Sequence, residues 1–144
     1  MNKFIVALFI ILSLLFSAKN YGSVTVNKVV SVYDGDTIRV NIAHYPPILG
    51  DNISIRILGI DTPELRTKNL KEKQLAYKAK EYVETIIKNS KTIVLKDMQR
   101  DKYFRILANV DVDGKDLGQM LIDKGYAVKY DGGKKKSWSE ILKK

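Results

Sequence analysis

Three short stretches hold the side chains in this sequence that could do chemistry together. Asp34-Gly35-Asp36-Thr37 places two carboxylates in one turn, and Arg56-Ile57-Leu58-Gly59-Ile60-Asp61-Thr62-Pro63-Glu64 places a guanidinium and two more carboxylates at the end of an apolar run. Asp101-Lys102-Tyr103-Phe104-Arg105 adds a second guanidinium. Cysteine is absent, and the single histidine, His44, sits beside Tyr45-Pro46-Pro47 in a loop. That excludes disulfides and thiolate metal sites and leaves little room for Ser-His-Asp, Cys-His or multi-histidine zinc schemes. Any chemistry must come from carboxylates, arginine, lysine and tyrosine.

The elements that position these groups follow from periodicity. Ser54 and Arg56 alternate with Ile53, Ile55 and Ile57, the pattern of a half-buried strand, and Gly59 with Thr62-Pro63 breaks that strand into a turn. Proline fixes its own φ and pushes Thr62 towards an extended conformation, so Asp61 and Glu64 are expected on a stiff corner at one edge of a sheet. From Val24 to Ile42 the chain reads strand, turn, strand, with Asp34-Gly35 as the hairpin signal. Turn chemistry alone accounts for two aspartates there; a second acidic turn, at Asp61, in the same small sheet is what argues for a site. Residues 43–52 read as a loop without chemistry. Leu75, Ala79, Val83 and Ile86 predict a helix over 68–89, with Lys68, Lys71, Lys73, Lys78 and Lys80 on a solvated face. Lys91 to Lys96 is a further strand, and Phe104, Ile106, Ala108, Val110 and Val112 alternate with Arg105, Leu107, Asn109 and Asp111 in another. Asp116-Leu117-Gly118-Gln119 resembles a capping box opening a short helix that stops at Gly125, and Tyr126 to Tyr130 is extended. In the tail, Ser137-x-x-Glu140 caps a helix too short to stand alone, and Trp138 is expected to pin it to the body. This strand-rich order with two helices reads as a small β-barrel with helices packed outside.

The chain has 144 residues, one domain's worth, and a formal charge of +9. Such basicity suits a polyanionic partner, nucleic acid or an anionic membrane surface, although lysine-rich surfaces also serve solubility. Residues 1–23 have the layout of a secretory signal peptide: Lys3, an apolar run from Phe4 to Phe16, then small and polar residues. Export to the periplasm or beyond is expected, with an uncleaved membrane anchor as the alternative. Removing residues 1–22 takes away Lys3 and Lys19 and no acid, so the remainder still carries +7.

Taken together and in order, the three chemical stretches resemble the staphylococcal nuclease (thermonuclease) family over about residues 24–130. The resemblance implies an α+β, mainly β fold: an OB-fold five-stranded barrel with two to three packed helices, in a domain over 24–131 followed by a basic tail over 132–144. It implies a calcium-dependent hydrolase of DNA and RNA acting as a monomer with no protein partner. Position by position, Asp36 and Asp61 match the metal carboxylates and Thr62 the residue giving a backbone carbonyl. Asp34 matches an acidic neighbour of the metal. Glu64 matches the carboxylate acting on the attacking water, Arg56 and Arg105 the two phosphate-binding arginines, and Lys102 and Tyr103 positions beside the nucleotide's phosphate. Tyr126 and Tyr130 lie near the family's stacking tyrosines without a one-to-one match. The stretch after Glu64, LRTKNLKEK, is not the family's lysine-glycine loop, and the C-terminal helix is cut short.

These residue types suit phosphodiester hydrolysis on general grounds. The reaction needs extra negative charge stabilised on phosphate and an activated water. A hard dication on oxygen ligands contributes to both, and arginine offers a planar, permanently charged fork to phosphate oxygens. The competing expectation is a catalytically inactive OB-fold module that only binds nucleic acid. A basic membrane-surface protein is a third, but it leaves the Asp-Arg-Glu constellation unexplained.

Overall fold

A computed structural model describes residues 19–101, 103 and 105–143. Residues 1–18, over which the leader is expected, and Lys102, Phe104 and Lys144 lie outside the described residues. Among the described residues, no helix is long and apolar enough to cross a membrane.

The chain forms β1 (Val24–Thr25), β2 (Lys28–Val32), β3 (Thr37–Asn41), α1 (Pro47–Gly50), β4 (Ile53–Ile57), β5 (Ile60–Asp61) and α2 (Leu70–Lys88). It continues through β6 (Ile93–Arg100), β7 (Ile106–Val112), β8 (Lys115–Asp116), α3 (Leu117–Asp123), β9 (Val128–Lys129) and α4 (Trp138–Ile141). The main sheet runs β1-β6-β7-β4-β3-β2, with β8 added to β7, and β5 pairs with β9 in a separate ribbon. All pairings are antiparallel except β4 with β7. β2, β3, β4, β6 and β7 are each five residues or longer, while β1, β5, β8 and β9 have two. The five long strands are those of the expected barrel; the short ones tie loops to it.

The core follows the alternation in the sequence. Ile38, Val40, Ile55, Ile57, Leu95, Ala108 and Val110 are buried on the concave face of the curled sheet, capped by Val83 of α2 and by Leu117 and Leu121 of α3. Asn69 opens α2 by accepting hydrogen bonds from the Lys71 and Glu72 amides, and Ala76, Ala79 and Val83 form its buried stripe. Asp116 caps α3 by accepting from the Gln119 amide at 2.7 Å, as the capping-box spacing predicts; the Gln119 side chain turns instead to Asp123. One local expectation changes. Residues 47–50 inside the proline-rich loop close a single helical turn, with Pro47 at its start, where a missing N–H costs nothing. Val30 is 45% exposed because the register of β2 against β3 shifts between Val29 and Ser31.

Gly35 has a role that turn chemistry does not reveal. A Cβ at this position would lie 2.9 Å from the Ala79 Cβ and 3.0 Å from the Thr62 Cγ2, so the missing side chain lets α2 and the Thr62 corner close against the Asp34–Asp36 turn. Gly35→Ala should therefore cost about 1–3 kcal/mol by overpacking. Urea denaturation checks this: a lower midpoint with unchanged slope is expected, and a wild-type midpoint would mean the contact is loose.

Candidate active site

Two adjacent strands set the centre of the site. Thr37 pairs with Arg56 across β3 and β4, which brings the residue before β3, Asp36, alongside the arginine; the Ile57 amide donates to the Asp36 carbonyl at 2.8 Å. Arg56 Nη1 lies 2.8 Å from Asp36 Oδ2, and Nη2 donates to the Ile60 carbonyl at 3.2 Å and to Asp61 Oδ1 at 3.4 Å. Asp61 is held by the β5–β9 ribbon, paired with Val128. One guanidinium therefore joins two carboxylates from separate elements. Arg56 is 8% exposed. The strand alternation predicts a half-exposed position there, but the Leu58-Gly59 turn, the β5–β9 ribbon and the tail cover that face of β4.

The remaining lone pairs are used locally. Asp36 Oδ2 accepts from the Thr62 amide at 3.1 Å and Oδ1 from the Thr37 hydroxyl at 3.0 Å. Thr62 is buried and Pro63 fully so, which fixes the corner as the sequence predicts. Asp34 accepts from the Asp36 amide at 3.1 Å. Burial, with the Asp36 carboxylate close by, pushes the Asp34 carboxyl up to about 6. Arg56 Nη1 is buried and, among the described residues, has no hydrogen-bond partner of good geometry, although Asp36 Oδ2 lies 2.8 Å away as its ion-pair partner.

An open groove of about 880 Å³ runs past this centre, lined by Asp34, Asp36, Arg56, Thr62, Glu64, Tyr103 and Arg105 among others. Arg105 is fixed by Asp101, whose Oδ2 accepts from Nε at 3.0 Å and Nη2 at 2.7 Å, and its guanidinium lies 5.4 Å from the Tyr103 ring. Burial works against the charged form of Asp101, but hydrogen bonds from Tyr103 and Arg105 hold its carboxyl below the usual range. Glu64 stands at the rim with its side chain 68% exposed; its backbone amide donates to Glu72 at 3.4 Å. Asp61 is buried behind the groove, reaching it through Arg56. Of the predicted site residues, the groove and its floor unite Asp34, Asp36, Arg56, Asp61, Thr62, Glu64, Tyr103 and Arg105; Lys102 lies outside the described residues.

Three further residues enter from the C-terminal side. Tyr130 lines the groove with its ring 6.0 Å from the Arg56 guanidinium, whereas Tyr126 packs edge-on against Tyr82 and leaves the site. Lys135 Nζ lies 2.7 Å from Asp61 Oδ1 and 3.9 Å from Glu64 Oε1. Burial opposes its charge, but the contact with Asp61 outweighs that and raises its pKa, so it stays an ammonium. Trp138 is buried, as its expected pinning role requires, and donates Nε1–H to Asp61 Oδ2 at 3.1 Å. Nothing in the local pattern of the tail marks Lys135 among its neighbours.

The sequence profile of the staphylococcal nuclease homologue family matches residues 54–143 of this chain. The chain belongs to the staphylococcal nuclease family. It is similar to an uncharacterized protein of Methanocaldococcus jannaschii, at 34% identity over 72% of this chain and 58% of that protein. It is also similar to the Bacillus subtilis endonuclease YncB, at 32% identity over 76% of this chain and 48% of that protein. A second B. subtilis relative, the SPbeta prophage-derived endonuclease YokF, is 33% identical over 76% of this chain and 34% of its own length. The chain thus spans between about a third and three fifths of the length of these relatives. Family membership fits the curled mixed sheet, with its OB-like α+β architecture, and the position of the groove on it.

The side chains of the staphylococcal nuclease site suit a divalent cation. Arg56 contacts Asp36 and Asp61, Lys135 contacts Asp61 and Glu64, and Asp34 accepts from the Asp36 amide beside them; when ionised, these four carboxylates outnumber the two cations by two, and every candidate donor is a hard oxygen. Among the described residues, no three acidic or histidine side chains close into a cage. Asp36, Asp61 and the Thr62 carbonyl would hold such an ion in an open site, with water supplying the remaining ligands.

Proposed function

We propose that this groove hydrolyses phosphodiester bonds in DNA and/or RNA, in the presence of calcium, at internal positions as the names of the Bacillus relatives state for those proteins. The observation that carries this reading is Arg56, held between Asp36 and Asp61 on a groove that Glu64 and Arg105 also line. A calcium ion on Asp36, Asp61 and the Thr62 carbonyl would polarise the phosphate and make a bound water more acidic. Arg56 donates to a phosphate oxygen from below. Arg105, oriented by Asp101 just before β7, the strand next to β4, offers its guanidinium to the same groove, so charge building on phosphate meets preorganised donors. Glu64, exposed and near this centre, takes the proton of the attacking water at a carboxylate oxygen. Tyr130 and Tyr103 offer aromatic faces beside the phosphate path. The enzyme works as a monomer, and the segment over 1–23 directs it out of the cytoplasm.

Digestion of single- and double-stranded DNA and RNA with calcium, with magnesium or with chelator tests the reading. Cleavage should disappear with chelator and return with calcium, because a site with two protein carboxylates holds the ion weakly. Full activity in chelator would overturn the metal assignment. Binding without cleavage under all conditions would make this chain an inactive binding module.

A further inference from the structure

Both oxygens of Asp61 are engaged by one short segment of the tail. Lys135 Nζ lies 2.7 Å from Oδ1, and Trp138 donates Nε1–H to Oδ2 at 3.1 Å. These partners differ in accessibility: Trp138 is 5% exposed, whereas the Lys135 side chain is 47% exposed and leads out to solvent. The approach to Lys135 is Asp131-Gly132-Gly133, with Gly132 at φ +93°, held by two exposed bonds: the Gly133 amide to Asp131, and the Tyr130 hydroxyl to the Gly133 carbonyl. Lys135 can leave on that two-glycine hinge while Trp138 stays anchored.

A dication using Asp61 Oδ1 would sit a few ångströms from an ammonium on the same atom, and like charges at that range in a partly buried site repel strongly. We infer that Lys135 determines the affinity of this site for its divalent cation: ammonium and cation compete for Oδ1 of Asp61, and the segment carrying Lys135 must yield before the cation is held. The inference rests on the metal reading above and goes beyond it by assigning the basic tail a role. When no metal is bound, Lys135 adds a second positive charge to the one that Arg56 already places on Asp61.

Calorimetric titration of calcium into the full chain without nucleic acid, for wild type, Lys135→Met and Lys136→Met, tests this. Met keeps the length of the side chain and removes its charge; Lys136 is an exposed neighbour and serves as control. Lys135→Met should bind calcium about tenfold more tightly than wild type, within the usual 5–150-fold range of coupling between sites, and Lys136→Met should match wild type. Trp138 is the single tryptophan. Calcium should therefore shift its emission in wild type, and Lys135→Gln should repeat the Lys135→Met result if the latter folds poorly. Equal affinities for wild type and Lys135→Met, or weaker binding by the variant, would overturn the inference and leave the metal reading intact. No heat and no emission change in any of the proteins would remove calcium from Asp61, and the inference with it.

Discussion

Arg56→Ala should be among the most destabilising substitutions in this chain, costing about 3–5 kcal/mol, because it removes the cation from a buried ion-pair cluster and leaves carboxylates without compensation. Asp36 bears most of this. Its ion-pair partner is Arg56, at 2.8 Å, and both side chains are 10% exposed. Asp61 keeps Lys135 and Trp138 after the change, so it is partly protected. A single domain commonly has only ~5–15 kcal/mol in total, so the variant should be marginal at physiological temperature, and lost activity would not by itself reveal a role in catalysis. Arg105→Ala provides the contrast. That arginine pairs with Asp101 at the surface, 29% exposed, where an ion pair contributes ~1 kcal/mol or less. It should fold almost as stably as wild type and still lose about two orders of magnitude in cleavage, since one donor to the developing phosphate charge is worth ~3 kcal/mol. Thermal melts of the two variants separate the cases. If Arg56→Ala melts with wild type, Arg56 is not the hub of the cluster.

The parts of this arrangement that could be read from the sequence are those that local chemistry encodes. Alternation through Ala108, Val110 and Val112 gives the buried face of β7, Asp116 marks where its helix begins, and Asp34-Gly35 marks the hairpin that presents Asp36. The carboxylates and arginines were legible as a set because their spacing follows the three stretches. What covers them was not. Arg56 alternates like a solvent-facing residue, and its cover, the β5–β9 ribbon among it, is brought up from elsewhere in the chain; two paired residues leave no periodic trace. Lys135 is one of three consecutive lysines, identical to its neighbours until the chain folds back and places it on Asp61. Gly35 looked like a turn glycine, whereas its importance comes from α2, more than thirty positions along the chain. Long-range cover and close approach depend on tertiary geometry, which a window of neighbours does not contain.

Glu64→Gln should have the opposite profile to Arg56→Ala: a large loss of turnover with stability unchanged. The side chain is 68% exposed, and among the described residues its one ionic neighbour is Lys135 at 3.9 Å, so removing its charge costs the fold little. Gln keeps the size and can still hydrogen-bond, but cannot take a proton from water. General-base assistance contributes roughly 10²–10⁴, so cleavage should fall by at least two orders of magnitude. Nucleic-acid binding should stay near wild type or tighten slightly, because one charge that repels phosphate has gone.

The most direct test of the central claim measures cleavage rate and binding affinity on the same labelled nucleic acid, in calcium, for wild type and Glu64→Gln. The groove as a phosphodiesterase site predicts cleavage by wild type, a hundredfold or greater loss in Glu64→Gln, and dissociation constants that agree within a few-fold. Binding by wild type without cleavage, or equal cleavage by the two proteins, would contradict it.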